Sequence, residues 1–284
     1  MSEKTKMTDK QVRDLALANY QSEQATKPAE DKKREFPTEI FELPSKGKLY
    51  PEGHPLREGS IELRYMTAAD EDILATDSYI KKGIVFDKLF EAIIVTPFNY
   101  GDLLLCDKDA IMIATRILSG YGTTYKVDVP GKESKLEVDL TKLEDKPLHE
   151  IVEKAEGNSF TFELPISKST IVFKLLTHAD DAALREKAKF AEAQAKRKGL
   201  KNTGKKTDMT DRLKAMIISI DGNSEPLFIS SFVNKMLAGD SRAFRQNAAE
   251  ISPGVNYEVE YIDDNDEPQY SDFRIDIDFL YPGA

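Results

Sequence analysis

The chain has 284 residues, of which 40% are hydrophobic and 32% charged, with a net charge of −10. This composition suits a globular protein with a real core and excludes fibrous and disulfide-stapled classes. An acidic balance argues against a general nucleic-acid binder, which needs clustered Lys and Arg.

The charge is unevenly spread. Residues 185–206 hold nine basic residues against two acids, and residues 257–284 hold nine acids against one arginine. Such blocks form partner surfaces or solvated linkers. The single cysteine, Cys106, allows no intrachain disulfide and fits a reducing compartment. The start "MSEKTKMTDKQ" has no apolar stretch of the kind found in a signal peptide. A soluble protein made in the cytoplasm is expected.

Residues 1–36 read as a flexible arm. Within it, "TDKQVRDLALANYQ" has capping-box spacing at Thr8 and Gln11, and an apolar stripe of Val12, Leu15, Ala16 and Tyr20. A short amphipathic helix that docks on a partner is one reading; a frayed tail is the other.

Residues 37–176 read as an α+β part. "FPTEIFELPSKGKLYPEGHPL" is extended, with turns at "SKGK" and "PEGH", and "SIELRYM" alternates as a strand. "TAADEDIL" opens a helix with Thr67 and Asp70 at capping-box spacing. "VFDKLFEAIIV" predicts a second helix ended by Pro97, and "DKDAIMIATRILSGYG" a third, stopped by Gly120 and Gly122. "TTYKVDV" and "SKLEVDL" make a hairpin across "PGKE"; "SFTFELP" and "STIVFKLLT" make another strand pair.

Residues 177–206 read as an alanine-rich, exposed helix followed by a basic loop that includes Lys196, Arg197 and Lys198. Residues 207–284 read as three helices and a final hairpin. Met209, Leu213, Met216, Ile217 and Ile220 share one face of the first helix, and "LFISSFVNKML" is nearly all core. Gly239 closes that second helix and Asp240 caps the third, where Arg242 and Arg245 lie near one face. These arginines are expected to meet carboxylates of this chain or of a neighbour. The last strands are "NYEVEYI" and "DFRIDIDFLYP" around the acidic loop "DDNDEPQYS". In the second, Phe273, Ile275, Ile277 and Phe279 alternate with Arg274, Asp276 and Asp278.

Chemical motifs are incomplete. "GLKNTGKKT" lacks the Ser or Thr that a phosphate loop needs directly after its lysine, because Lys206 stands there. "DDNDEPQYSDFR" has proline where a calcium loop turns on glycine, and arginine where it ends on an acid. His54, His149 and His178 are scattered, so no zinc site or Cys–His pair with Cys106 is expected. Neither an enzyme nor a cofactor is expected.

The ordered phrases "LPSKGKLYP", "GSIELRYMTAADEDIL", "DKDAIMIATRILSGYGTTYKVDV", "IISIDGN", "SFVNKMLAGDSRAFRQ", "SPGV" and "FRIDIDFLYP" run from Leu43 to Pro282. As a set they resemble the baseplate hub subunit and hub-assembly family of contractile-tailed, T-even-type bacteriophages. Family members often carry Cys-x-x-Cys pairs at hairpin tips; "VPGKES" and "IDDNDEPQYS" hold no cysteine, which sets a metal-held knuckle aside. The resemblance implies a structural or assembly role in the tail baseplate of the virion. Contacts with other hub, tape-measure or tail-tube proteins follow from it, with no membrane. Two alternatives remain: an assembly chaperone absent from the mature virion, and a nucleic-acid-binding module using residues 185–206. The expected partner-binding residues are Val12, Leu15, Tyr20, Lys196, Arg197, Lys198, Arg242 and Arg245.

Overall fold

A computed structural model describes residues 36–197, 209–273, 279 and 280. The fold is α+β, with small antiparallel sheets of two or three strands set among helices. Strands β1 (Thr38–Glu42) and β2 (Ser60–Arg64) pair antiparallel, Thr38 opposite Arg64. The loop between them is packed inward: Leu43, Leu49, Tyr50 and Leu56 are buried. Its two limbs cross at Gly47 and Gly59, both at positive φ; a Cβ on Gly47 would lie 2.3 Å from the Arg57 carbonyl oxygen. The Arg57 guanidinium closes the crossing by donating to the carbonyls of Lys48 and Tyr50.

Three helices follow: α1 (Ala68–Leu74), α2 (Asp77–Lys82) and α3 (Val85–Ile93). At α1 the expected capping residues act. Asp70 accepts from the Thr67 N–H at 2.7 Å and receives the Arg64 guanidinium through both oxygens, at 2.7 and 2.8 Å. Burial alone would raise the Asp70 carboxyl; Arg64 and Thr67 outweigh it and hold it low. Helix α2 was not foreseen, being too short to show a period. Helix α3 ends at Ile93 rather than running on to Pro97, because the next residues join the edge of β2: Val95 N–H donates to the Glu62 carbonyl at 2.9 Å.

Helix α4 (Leu105–Leu118) runs through the core. Asp107, in its first turn, is fully buried and accepts from Ser45 N–H (2.9 Å), Ser45 Oγ (2.8 Å) and Tyr50 Oη (2.7 Å). The Tyr50 hydroxyl in turn accepts from Leu104 N–H at 3.1 Å. Three donors reach one carboxylate, and the loop of residues 43–59 is thereby fixed on the helix start. Burial nevertheless pushes the Asp107 carboxyl up, with the Ser45 and Tyr50 donors offsetting it only in part.

Strands β3 (Thr124–Val127) and β4 (Leu136–Asp139) form the expected hairpin, and a single turn of helix, α5 (Glu150–Glu153), follows. Strands β5 (Phe160–Glu163) and β6 (Thr170–Phe173) pair as expected, but a third strand joins them. The segment read as one helix over 209–220 is helix α7 (Met209–Met216) followed by strand β7 (Ile217–Ile220). The reason is local. "IISI" is β-branched at three of four positions and meets the open edge of β6, with Ile171 opposite Ile220. Helix α6 (His178–Arg197) lies between these strands in the chain and is largely exposed, as its alanine content predicts.

Helices α8 (Pro226–Lys235) and α9 (Ala238–Ile251) lead to the last hairpin. Its strands are β8 (Glu258–Ile262) and β9 (Pro268–Asp272), so β9 lies inside what reads as loop in the sequence. The shift follows from Asp263, whose carboxylate accepts from Asn265 and Glu267 N–H at 2.8 and 3.0 Å and closes a tight turn. The acids at the tip thus build a turn. Residues 274–278, with Arg274, Ile275, Asp276, Ile277 and Asp278, lie outside the described residues. Phe273, Phe279 and Leu280 are buried, and Arg116 donates to the Phe279 carbonyl at 2.6 Å, so the end of the chain packs on α4. Buried apolar residues from Leu43 to Leu280 form one cluster.

Asp107→Ala is expected to cost about 3 kcal/mol in denaturant unfolding, because three buried donors lose their acceptor. Asp107→Asn is expected to cost less than half of that, since its amide oxygen still accepts from Ser45 and a neutral group avoids the burial of charge. The folded carboxyl binds its proton more tightly than the unfolded one, whose value is about 3.9. Its contribution therefore favours the fold in acid and is lost as pH rises through the folded value; the Asn variant removes that slope.

Candidate protein-docking surface

The surface is organised by Asp240. Sequence reading makes this residue the N-cap of α9, but the helix begins at Ala238 with Leu237 before it, which puts Gly239 and Asp240 inside the first turn. The fully buried Asp240 carboxylate points across to another element. It accepts from Ile166 N–H (2.8 Å) and Ser167 N–H (3.0 Å) in the turn joining β5 to β6. Burial would raise this carboxyl; the two backbone N–H groups, the Ser167 hydroxyl and Lys168 win, and it is held low. The Ile166 side chain comes to rest over Gly239, where a Cβ would lie 2.6 Å from its Cδ1. Glycine serves here as the floor for Ile166 rather than as a helix stop.

Helix α8 borders the same region, and it is not the all-core helix its composition suggests. Only Ile229 and Val233 are buried. Leu227 is 78% exposed and Phe228 38%, while Leu237, just past the helix, is 50% and Ile166 57% exposed. One turn of 3.6 residues sets Leu227, Phe228 and Ser231 on a face opposite Ile229 and Val233. The helix thus carries a second apolar face that the described residues leave exposed. Between α8 and the start of α9 lies a groove of about 280 Å³ lined chiefly by Phe228, Phe232, Met236 and Leu237. Lys235 stands at its edge. A contiguous apolar patch with a polar border marks an interaction surface more often than an isolated exposed leucine does.

The expected partner-binding residues are spread over the molecule. Arg242 and Arg245 are exposed on α9 and form no ion pair among the described residues; Arg245 Nε donates only to the Ser241 carbonyl of its own helix, at 3.3 Å. The expected tie to carboxylates of this chain is therefore not made there. Arg245 instead shares a pocket of about 220 Å³ with Arg212, Cys106 and Met216, and burial pushes the Cys106 thiol well up. In the basic helix, the first cations serve the fold. Lys187 meets Asp211 at 2.7 Å and Lys189 donates to the Lys82 carbonyl at 2.7 Å. Arg197 is exposed at the helix end. The Lys196 side chain, Lys198, Val12, Leu15 and Tyr20 lie outside the described residues.

One cluster escaped sequence reading. Asp87, on the buried face of α3, binds the Lys108 ammonium, the Arg185 guanidinium (2.9 Å) and the Tyr100 hydroxyl (3.3 Å). Burial would raise its carboxyl, but Lys108 and Arg185 dominate and hold it low. His178 Nδ1 stands 3.7 Å from Asp87 and has no hydrogen-bond partner among the described residues. Burial holds this imidazole below its ordinary value; the Asp87 charge opposes that, and Lys108 and Arg185 reinforce it. The cluster floors a cleft of about 630 Å³ between α3 and α6. With its carboxylate saturated by donors, Asp87 clamps α6 onto α3. An acid among Val85, Leu89 and Phe90 in "VFDKLF" was the available signal. Among the described residues, no group of three His, Cys, Asp or Glu side chains is arranged to hold a metal ion, and no helix is long and apolar enough to cross a membrane.

Comparison with protein-family models, with curated proteins and with solved structures found no match to this chain.

Acidification from pH 7 to 5 is expected to lower thermal stability through His178. The unfolded imidazole, near 6.5, takes up a proton that the folded one resists, so its contribution is present above that value and is lost below it. Melting curves of His178→Gln over this range should show a shallower pH slope than those of the parent.

Proposed function

We propose that this chain is a structural or assembly component of the tail baseplate hub of a contractile-tailed phage, working through protein–protein contacts. The phage setting rests on the ordered phrases from "LPSKGKLYP" to "FRIDIDFLYP". The mode of action rests on one observation, the unused apolar face of α8 beside the groove at Leu237. Partners of this kind are other hub proteins, the tape measure or the tail tube, and the chain would reside in the virion baseplate. Exposed apolar side chains on a rigid helix favour docking by shape and burial, the usual basis of stable assemblies. Arg242 and Arg245, exposed on α9 without acidic partners among the described residues, are available to acidic groups of a partner.

The chaperone alternative uses the same surface and differs in whether the chain stays in the particle. Binding of nucleic acid through residues 185–206 is less favoured, because Arg185, Lys187 and Lys189 are already paired with groups of this chain.

Affinity capture of the tagged full-length chain during tail assembly should recover baseplate proteins, identified by mass spectrometry. Leu227→Asp combined with Leu237→Asp is expected to reduce that recovery at least tenfold, with thermal stability unchanged because both side chains are exposed. Undiminished recovery would contradict the docking role of this face. The chain's presence in purified virions separates a component from a chaperone.

A further inference from the structure

We propose that the pocket edged by Arg212 and Arg245 is a binding site for a carboxylate that carries one ring-sized apolar group. The site shares no lining residue with the groove beside α8 and does not rest on the docking role of that face.

The pocket is built by separate parts of the fold. Its apolar lining is Leu105 from the start of α4, Leu175 and Leu176 from the chain after β6, Met216 of α7 and Ala249 of α9. Backbone bonds tie these segments together. Leu105 N–H donates to the Leu176 carbonyl at 3.0 Å, and Lys174 N–H donates to the Met216 carbonyl at 2.9 Å. Each arginine stands four residues before an apolar residue of its own helix, Arg212 before Met216 and Arg245 before Ala249. Residues four apart share one side of a helix. Two helix edges therefore each present a cation and an apolar group to the same pocket.

The charge of the lining sets the sign of the ligand. Among the described residues that line the pocket, two are cations and none is an acid, in a chain whose net charge is −10. The cleft between α3 and α6 is different, because there Asp87 and Glu91 meet Arg185 and Lys88. Arg212 is exposed and has no partner among the described residues, and Arg245 Nε reaches only a carbonyl of its own helix. The Cys106 thiol, which burial keeps protonated, adds no negative charge. A guanidinium pairs with a carboxylate through two parallel hydrogen bonds. Such a pair in open water contributes little. At the edge of an apolar pocket it is partly shielded from solvent and gains strength. The lining supplies the rest of the recognition. An apolar cavity of about 150 Å³ takes a benzene ring, and this pocket holds about 220 Å³. A small inorganic anion would leave the apolar lining unused, and a neutral ring would leave both guanidiniums unpaired. A carboxylate on an apolar ring or branched chain uses both. It is supplied either by a free carboxylic acid or by the last residue of a peptide chain.

Met216 reports on the pocket directly, because it lines it. The full-length chain, isotope-labelled at its methionine methyl groups, is titrated with 3-phenylpropionate and followed by nuclear magnetic resonance; Met216→Leu identifies the signal. The expected result is a saturable shift of the Met216 methyl with a Kd of about 1 mM, as suits a ligand of this size. Affinity should fall at least fivefold for the neutral 3-phenylpropanamide. It should fall as much in Arg212→Gln with Arg245→Gln, and in Ala249→Phe, which fills the pocket and keeps both charges. These three positions are exposed, so melting temperatures should stay at the parent value. N-acetyl-phenylalanine is the second probe: tighter binding than 3-phenylpropionate identifies a chain terminus as the natural source, and weaker binding a free acid. The proposal is overturned by the absence of a saturable Met216 shift with either acid. Equal binding of the amide, an equal Met216 shift with inorganic phosphate, or undiminished binding in the arginine variant or in Ala249→Phe would also overturn it.

Discussion

The buried carboxylate of Asp107 is the constraint on which the rest of the molecule depends. It sits in the first turn of α4 and gathers three donors from the loop of residues 43–59, far away in sequence. That loop has almost no regular structure, yet it buries Leu43, Leu49, Tyr50 and Leu56. Without an internal acceptor its backbone and hydroxyl groups would be stranded away from water. With it, β1, β2 and α4 share one core. The same helix holds Phe279 near the other end of the described residues, where Arg116 donates to its carbonyl. One helix therefore organises both the opening loop and the closing residues.

A second carboxylate, Asp240, does the corresponding work at the surface. Its bonds to Ile166 and Ser167 set the β5–β6 turn against α9 and leave Ile166 outside. Beside it, α8 keeps Ile229 and Val233 for the core and turns Leu227 and Phe228 outward. The proposed docking face is carried mainly by helix α8, which would limit the entropy lost when a partner binds. Asp87 plays a third such part by clamping α6 through Lys108 and Arg185. Asp107, Asp240 and Asp87 each sit in a helix and bond to a distant segment.

Much of the fold was legible. The Thr67–Asp70 spacing marked the start of α1, the apolar period marked α4, and alternation marked β2 to β6. The failures have physical causes. "IISI" fits a helical period after α7, yet pairing with the open edge of β6 makes it a strand, and no local pattern reports that edge. Asp263 closes a turn tighter than the run of acids suggests, moving β9 forward to Pro268. Asp240 stood at a plausible cap position, but its acceptor oxygens are used 74 positions away in the chain. The groove was hidden for a related reason: "LFISSFVNKML" is apolar all round, and composition does not say which face the core will take.

The most direct measurement of the docking role places a photoreactive side chain at position 227 of the full-length chain during tail assembly. Illumination followed by mass spectrometry is predicted to yield a covalent adduct between position 227 and a tail baseplate protein. Recovery of the chain with no adduct to any tail protein, while assembly proceeds, would contradict it.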